Sequence, residues 1–222
     1  MISALIFDMD GVIVHSNPMH RAAWAQYTRR HGVEMTGAMQ QRMYGKRNDE
    51  IIRGFLGEHL SDDEVFAHGA AKEAIYREMM QPRISESLVP GIREFLDRHR
   101  DLPMGIATNA EVANVDFVLD GAGLRGFFRV IVDGHQVTRP KPWPDIYVAA
   151  AQALGVSPAD CIVFEDSHAG VAAGLAACMR VVGLATTHDD LSGVSLVIRD
   201  FHDRALEDWL ACQSRSRTDE QG

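Results

Sequence analysis

The sequence predicts an α/β protein, a parallel sheet covered by helices on both faces, with a helical region inserted after the first strand. Three observations lead to this fold class. Short apolar runs alternate with helical patterns along most of the chain, and the first run ends at a pair of acidic residues. Residues 17–81 break the alternation and contain helical patterns only. Strands that alternate with helices form parallel sheets with both faces buried.

Six short apolar runs predict the strands. A strand that is buried on both faces is continuously apolar, because neither direction of its side chains meets water. The predicted strands are residues 4–7, 104–107, 130–132, 161–164, 180–182 and 196–198.

Helical patterns lie between the later strands. Four apolar residues follow the i, i+3, i+4, i+7 spacing of one helix face, and Gly123 after them predicts the helix end. Residues 145–154 predict a second helix that ends at Gly155, and residues 167–177 predict a third. The four spaced residues are Val115, Val118, Leu119 and Ala122.

The inserted region is predicted to be helical at residues 18–31, 37–44, 49–56 and 61–80. The segment Leu88-Val89-Pro90-Gly91 marks the return to alternating strands and helices. We therefore predict an α/β core of residues 1–16 and 82–213, a helical insertion of residues 17–81, and a polar tail of residues 214–222 that we expect to be disordered.

Composition limits the possible functions. The chain has 222 residues, enough to bury a sizeable core, and a formal net charge of −9. That charge argues against a nucleic-acid partner, because phosphate backbones attract proteins rich in lysine and arginine. An anionic ligand can still bind where a metal or local cations reverse the field. We expect a monomer or a weak homo-oligomer.

Cysteines and apolar runs indicate the compartment. Cys161, Cys178 and Cys212 are odd in number and lack metal-ligand spacing, so we predict free thiols, buried at Cys161 and Cys178. The chain shows no signal-peptide pattern, and no apolar run reaches transmembrane length. We therefore expect a cytoplasmic protein without a membrane partner.

The segment from Phe7 to Gly11 (Phe-Asp-Met-Asp-Gly) carries the strongest functional signal. Residues two apart in an extended chain point to the same side, so Asp8 and Asp10 can face one site. Ligands of open parallel sheets bind at the carboxyl ends of strands, where this segment lies. Two adjacent carboxylates need a cation, or one of them stays protonated. By itself, the pattern also fits a turn or part of a calcium-binding loop.

Three further polar segments follow a predicted strand or precede a helix: Thr108-Asn109, Lys141, and Glu165-Asp166-Ser167. Each has an ordinary alternative. Thr108 and the acid pair can cap helices, and Lys141 can be a solvated loop lysine. Taken together, they place a hydroxyl, a lysine and two acids at the same sheet edge as Asp8.

In this order, the four segments resemble the four motifs of the haloacid dehalogenase (HAD) superfamily. The phrases Phe-Asp-Met-Asp-Gly-Val, Lys-Pro-x-Pro-Asp-Ile-Tyr and Glu-Asp-Ser-x-Ala-Gly are most similar to its beta-phosphoglucomutase-like branch. The motifs span nearly the whole chain, and their combination is far more specific than any one of them. The resemblance implies a Rossmann-like parallel sheet core with an inserted helical cap domain after the first strand.

The resemblance also implies catalytic roles. Asp8 would attack phosphorus and form an aspartyl-phosphate, while Asp10 would act as general acid and then as general base. Thr108 and the Asn109 backbone N–H would hold the phosphoryl oxygens, and Lys141 would offset negative charge.

Mg²⁺ is the cofactor that the resemblance implies. Its ligands would be the Asp8 carboxylate, the Asp10 backbone carbonyl and Asp166, with Glu165 bound directly or through water. Magnesium is a hard cation that prefers oxygen ligands.

The cap is implied to select the substrate and to exclude water from the aspartyl-phosphate. His20 and Trp24 match the branch's His and Trp, and Lys72 matches a lysine that contacts substrate. The alternatives are a structural histidine and, because the Lys72 helix is highly charged, a solvated lysine. The implied substrate-binding residues are Ser16, His20, Trp24, Gly45, Lys46, Lys72 and Asn109.

Several departures argue against a mutase, which needs a second phosphate site. Ala110 and Val112 stand where the mutase has a phosphate-binding Ser and Asn, and Lys46 and Arg47 are out of register with its Arg. Asn114 is a neighbouring residue that could compensate for them.

The sequence therefore predicts a Mg²⁺-dependent phosphatase that hydrolyses a small phosphorylated metabolite, with a sugar phosphate as the leading candidate. A beta-phosphoglucomutase is the alternative, and a non-catalytic regulator is a more distant one. A dehalogenase or a phosphonate-cleaving enzyme is disfavoured, because those patterns lack an equivalent of Asp10.

Overall fold

The computed structural model describes residues 2–43 and 46–215 of the chain. Its strands are β1 (Ala4–Phe7), β2 (Met104–Thr108), β3 (Val130–Asp133), β4 (Cys161–Glu165), β5 (Arg180–Leu184) and β6 (Leu196–Ile198). They form a six-stranded sheet in the order β3-β2-β1-β4-β5-β6, and all neighbouring pairs are parallel. Each strand begins at the residue that its apolar run predicts.

The described residues also form nine α-helices. They are α1 (Asn17–Arg30), α2 (Gly37–Met43), α3 (Asn48–Leu56), α4 (Asp62–Met80), α5 (Ile92–Arg98), α6 (Val112–Gly121), α7 (Asp145–Leu154), α8 (His168–Ala176) and α9 (Arg204–Arg215). Within this part of the chain, no helix has both the length and the apolar character needed to cross a membrane. The cytoplasmic location stays a prediction.

Strand β1 lies inside the sheet and is buried on both faces. Leu5 and Phe7 pack into the core on one face, while Ala4 and Ile6 pack into the core on the other. Phe7 stacks on Phe164 of β4 with ring centroids 4.7 Å apart. This double burial explains why the strand is uniformly apolar.

The strand order determines where a ligand can bind. The chain adds β2 and β3 on one side of β1 and then places β4, β5 and β6 on the other. Connections from β1 and β4 therefore run in opposite directions, which opens a crevice between them at the carboxyl ends of the strands. Asp8 follows β1, and Glu165 ends β4, at this crevice.

Helices α1 to α4 form the insertion between β1 and the rest of the core. Helices α1 and α4 pack against each other, with Trp24 and Tyr76 fully buried. The chain enters and leaves this region through paired segments: Val14 and Leu88 form an antiparallel bridge, and the His15 N–H donates to the Ser87 carbonyl over 2.7 Å. The fold class predicted from the sequence is confirmed.

Three details differ from the predictions. Helix α5 has seven residues, too few for a clear helical period, and was not predicted. Helix α9, anchored by the buried Leu206 and Leu210, continues to Arg215, so the expected disordered tail is wrong at residues 214–215. Residues 216–222 lie outside the described residues. Cys161 is buried as predicted, but Cys178 is exposed where the chain turns after α8, with a φ of 59°.

Candidate active site

Polar side chains from distant parts of the sequence meet at the carboxyl edge of the sheet. Asp8 follows β1, Thr108 ends β2 and Glu165 ends β4. Lys141 reaches them from the loop before α7, and its ammonium nitrogen lies 2.7 Å from Asp8 Oδ1 and 2.6 Å from Glu165 Oε1. Burial alone would lower the pKa of Lys141, but the two carboxylates raise it above its ordinary value. The solvated-lysine alternative is therefore wrong.

Glu165 is held by protein donors on both oxygens. Oε1 accepts from Lys141 and, at 2.7 Å, from the Tyr147 hydroxyl. Oε2 accepts from the backbone N–H groups of Asp166 and Ser167 at 2.9 and 3.0 Å. Burial raises the pKa of Glu165, but Lys141 and these bonds bring it below its ordinary value. Both carboxylate oxygens of Glu165 are thus already bound by protein donors.

Asp8, Glu165 and Asp166 form a buried acidic cluster, in which one oxygen of each lies within 4.8 Å of the other two. Burial raises the pKa of Asp8, Lys141 opposes the rise, and the nearby carboxylates Glu165 and Asp10 help to bring the pKa to about 7. Burial, Glu165 and Asp8 raise the pKa of Asp166 well above its ordinary value. The cluster therefore lacks positive charge, and its hard oxygen donors suit a divalent cation.

Two glycines make room for these acids. At Gly11, which has a φ of +79°, an added Cβ would overlap the Asp166 carboxylate, and a Cβ at Gly170 would overlap the Glu165 carboxylate. The glycines of Asp-x-Asp-Gly and of Glu-Asp-Ser-x-Ala-Gly are thus required by the acids beside them.

Asp166 has two partners that sequence reasoning missed. Asn17 Nδ2, at the start of α1, lies 3.2 Å from Asp166 Oδ2 and 2.6 Å from the Thr187 hydroxyl, which itself donates to Asp166. Thr187 lies in the loop after β5. The sequence signal that could have identified Thr187 is a hydroxyl residue shortly after the end of a predicted strand, β5.

Asp10 contacts both the core and the cap. The Ser16 hydroxyl donates to Asp10 Oδ1 at 2.5 Å, and His20 Nε2 lies 3.5 Å from the same oxygen. Burial raises the pKa of Asp10, but His20 and Ser16 lower it below its ordinary value. Ser16 is completely buried and its hydroxyl positions Asp10, while its predicted contact with substrate stays a prediction.

Lys72 is buried, which excludes the solvated alternative. Its ammonium nitrogen lies 2.7 Å from both His20 Nδ1 and Glu73 Oε1, and 4.9 Å from the centre of the Trp24 ring. Burial lowers the pKa of Lys72, and Glu73 partly restores it. With Nδ1 facing the Lys72 ammonium group, the other ring nitrogen of His20, Nε2, is directed towards Asp10.

Glu73, also missed, joins the cap to the core. Its Oε1 accepts from Asn48 and its Oε2 from Asn114, both at 2.7 Å, and Asn48 also donates to Glu111 of the core at 2.8 Å. Burial raises the pKa of Glu73, but Lys72 and the other partners lower it to about 2. Asn114 is buried in this network and also lines the cleft, while its suggested role as a compensating phosphate ligand stays a prediction.

Most predicted site residues line one cleft between the cap and the core. They are Asp8, Asp10, His20, Trp24, Lys46, Lys72, Thr108, Asn109, Lys141 and Asp166. Lys46 is half-exposed, with 49% of its side chain accessible. The Thr108 hydroxyl accepts the Ala110 N–H at 3.2 Å, but α6 begins at Val112 with Glu111 as its N-cap, so the helix-cap alternative for Thr108 is wrong. Gly45 lies outside the described residues. The polar cleft residues that were not predicted are Asn17, Asn48, Glu73, Glu111 and Thr187.

The parallel sheet, the helical insertion after β1 and the acidic strand tip together define a HAD-type hydrolase. The family model described as haloacid dehalogenase-like hydrolase matches residues 2–177. The chain belongs to this family, which confirms the resemblance drawn from the four motifs.

Individual relatives narrow the class. Protein CbbY of Rhodobacter capsulatus is 33% identical over 220 residues, which cover 93% of this chain and 96% of that protein. Fructose-1-phosphate phosphatase YqaB of Escherichia coli is 31% identical over 180 residues, 81% of this chain and 95% of the relative. The solved structure of beta-phosphoglucomutase from Clostridium difficile has a TM-score of 0.86 at 25% identity and covers 98% of this chain and 100% of its own. The chain is an enzyme whose relatives include sugar-phosphate phosphatases and phosphoglucomutases.

Proposed function

We propose that the enzyme is a Mg²⁺-dependent phosphatase that hydrolyses a small sugar monophosphate through a phosphorylated Asp8. The observation that carries this proposal is the Asp8–Lys141 pair at the tip of β1, beside the buried Glu165 and Asp166. An oriented carboxylate that faces a cleft is suited to attack phosphorus.

Asp8, Asp166 and the Asp10 carbonyl would hold Mg²⁺, with Glu165 acting through water. The raised pKa values of Asp8 and Asp166 support this, because a cation is needed to keep both acids ionised together. When bound, Mg²⁺ would balance this charge and polarise a phosphoryl oxygen.

In the first half-reaction, an oxygen of Asp8 bonds to phosphorus while the bond from phosphorus to the sugar oxygen breaks. Asp10 donates a proton to that leaving oxygen. Lys141 fixes the Asp8 carboxylate, and the Thr108 hydroxyl and Asn109 N–H would bind the phosphoryl oxygens.

In the second half-reaction, water attacks phosphorus while the bond from phosphorus to the Asp8 oxygen breaks, Asp10 accepts the proton of that water, and inorganic phosphate leaves. The lowered pKa of Asp10 favours the ionised carboxylate, which is the form that acts as a base in the second half-reaction. In the first half-reaction, the negative charge of the bound phosphoryl group raises the pKa of Asp10 and so favours the protonated form that acts as an acid. His20 lies on the cap, so cap closure and the orientation of Asp10 are linked.

The charges of the cleft favour a phosphatase over a mutase. A mutase must bind an intermediate with two phosphates, which needs a second cationic site. Lys72 is paired with Glu73 at 2.7 Å, and Lys46 lies 3.9 Å from Glu50. Glu111 adds a further negative charge to the lining. A substrate end with hydroxyl groups suits these acceptors better than a second phosphate does.

A phosphate-release screen of the purified protein over sugar phosphates, beginning with fructose 1-phosphate, tests the proposal. We expect release that stops on chelation and returns with excess Mg²⁺. The alternative is tested with beta-glucose 1-phosphate and a bisphosphate primer. Formation of glucose 6-phosphate without release of free phosphate would show that the enzyme is a mutase, as the structurally similar beta-phosphoglucomutase is.

A further inference from the structure

A second group of metal-ligating side chains lies outside the cleft. His168 is the first residue of α8, and His188 and Asp190 lie in the loop that follows β5. One ligand atom from each residue lies within 4.8 Å of the other two.

The three side chains already approach the geometry of a coordination site. His168 Nε2 lies 3.1 Å from Asp190 Oδ1, and the centroids of the His168 and His188 rings are 4.5 Å apart. Two ligands of a tetrahedral ion with bonds of about 2.0 Å are separated by roughly 3.3 Å. The side chains of His168 and Asp190 are 52% and 74% exposed, so small rotations can close the remaining distance and an ion can enter from solvent.

We propose that His168, His188 and Asp190 form a site for a transition-metal ion of the Zn²⁺, Co²⁺ or Ni²⁺ type. Imidazole nitrogens suit these ions, whereas Mg²⁺ prefers oxygen ligands and keeps its waters. The two metal sites of the protein are therefore chemically distinct. Three protein ligands leave one tetrahedral position to water.

The proposed site connects two segments that both reach Asp166. His188 follows Thr187, whose hydroxyl bonds to Asp166, and His168 stands two residues after Asp166. An ion held by both histidines fixes the loop after β5 against the first turn of α8. Occupancy would thus restrain Thr187 relative to the carboxylate that it contacts.

Calorimetric titration with Zn²⁺, in the presence of saturating Mg²⁺, tests the site on the full chain. Wild type, His168→Gln and His188→Gln share the same acidic cluster, so any Zn²⁺ bound there is common to all three. We expect both variants to lose one equivalent of Zn²⁺, or to bind it at least about tenfold more weakly. His59→Gln removes an exposed cap histidine and should match wild type. Equal stoichiometry and affinity in all four proteins would overturn the proposal.

Two further measurements separate loss of the metal site from misfolding of a histidine variant. Asp190 is highly exposed, so Asp190→Asn is expected to keep the fold while weakening Zn²⁺ binding. With Co²⁺ as the probe, wild type should show visible bands of nitrogen and oxygen coordination that His188→Gln lacks. Identical Co²⁺ spectra, or unchanged Zn²⁺ binding by Asp190→Asn, count against the site.

Discussion

The sheet edge and the cap differ in how they balance buried negative charge. At the sheet edge, the ammonium group of Lys141 contacts two carboxylates of a buried acidic cluster. In the cap, the carboxylate of Glu73 accepts hydrogen bonds from the Lys72 ammonium group and from two side-chain amides. Burial raises the pKa of Asp8 in the first group and of Glu73 in the second. At Asp8 the single lysine does not cancel the effect of burial, and the pKa is about 7. At Glu73 the partners more than overcome it, and the pKa is about 2.

The difference separates two uses of buried charge. The sheet edge is incomplete as protein alone, which is the condition for taking up a cation together with an anionic substrate. In the cap network the charge of Glu73 is balanced without a ligand, and the network holds His20 and joins the cap to the core. Four substitutions test this division, in order of decreasing effect.

Asp8→Asn should lower kcat by at least about 10⁴-fold, because an amide cannot act as the nucleophile. The measurement is steady-state phosphate release with the best substrate of the screen, and circular dichroism checks the fold. Activity within about 100-fold of wild type would assign the nucleophile elsewhere.

His20→Gln should lower kcat by about 10²-fold and leave KM nearly unchanged, because it removes the cap group that faces Asp10 without removing Asp10 itself. His59→Gln, an exposed change on the cap, is the matched control and should keep wild-type kcat. If the two variants behave alike, the cap network does not reach the chemistry of the core.

Glu73→Gln tests the stability of the cap network. The pKa of Glu73 falls from 4.5 to about 2 on folding, which corresponds to about 3 kcal/mol of stability at neutral pH. Because folding favours the ionised form, this contribution is complete above pH 4.5 and is lost as the pH falls towards 2. Urea unfolding at several pH values should show the gap between wild type and variant closing in acid. Glu78→Gln, exposed on the same helix, should show no such gap, and a pH-independent gap for Glu73→Gln would contradict the assignment.

Glu111→Lys should have the smallest effect of the four. We expect kcat/KM for the monophosphate to change only a few-fold, because Glu111 does not contact the acids at the sheet edge. It should raise the preference for a sugar bisphosphate over the monophosphate by about tenfold, since a cation replaces an anion in the cleft. Glu111→Gln should give an intermediate shift. Parallel changes in kcat/KM for both substrates would show that Glu111 does not select against a second phosphate.

Much of the core could be predicted from the sequence because its signals are local. Double burial makes β1 and its neighbours continuously apolar, and parallel strands bring their carboxyl ends to one edge. Once the strands are identified, the sequence therefore predicts that Asp8, Thr108 and Glu165 lie close together. Gly155 likewise ends α7 in the left-handed conformation that its position predicts, with a φ of 72°.

The cap side could not be predicted in the same way. Lys72 lies on a helix rich in charge, and only the packing of α4 against α1 decides that its ammonium group is buried on Trp24. Asn48 and Glu111 are distant in sequence, and their contact depends on how the cap meets the core. Thr187 was missed because its partner Asp166 lies on a different strand end.

The pairing of Val14 with Leu88 has a consequence for how this architecture diversifies. The two ends of the insertion already touch, so a short turn in place of the cap would close there with little added entropy cost. The insertion can thus be exchanged at this junction while the strands beneath keep their places, but a new insertion must supply a partner for Asp10, since His20 comes from the present one.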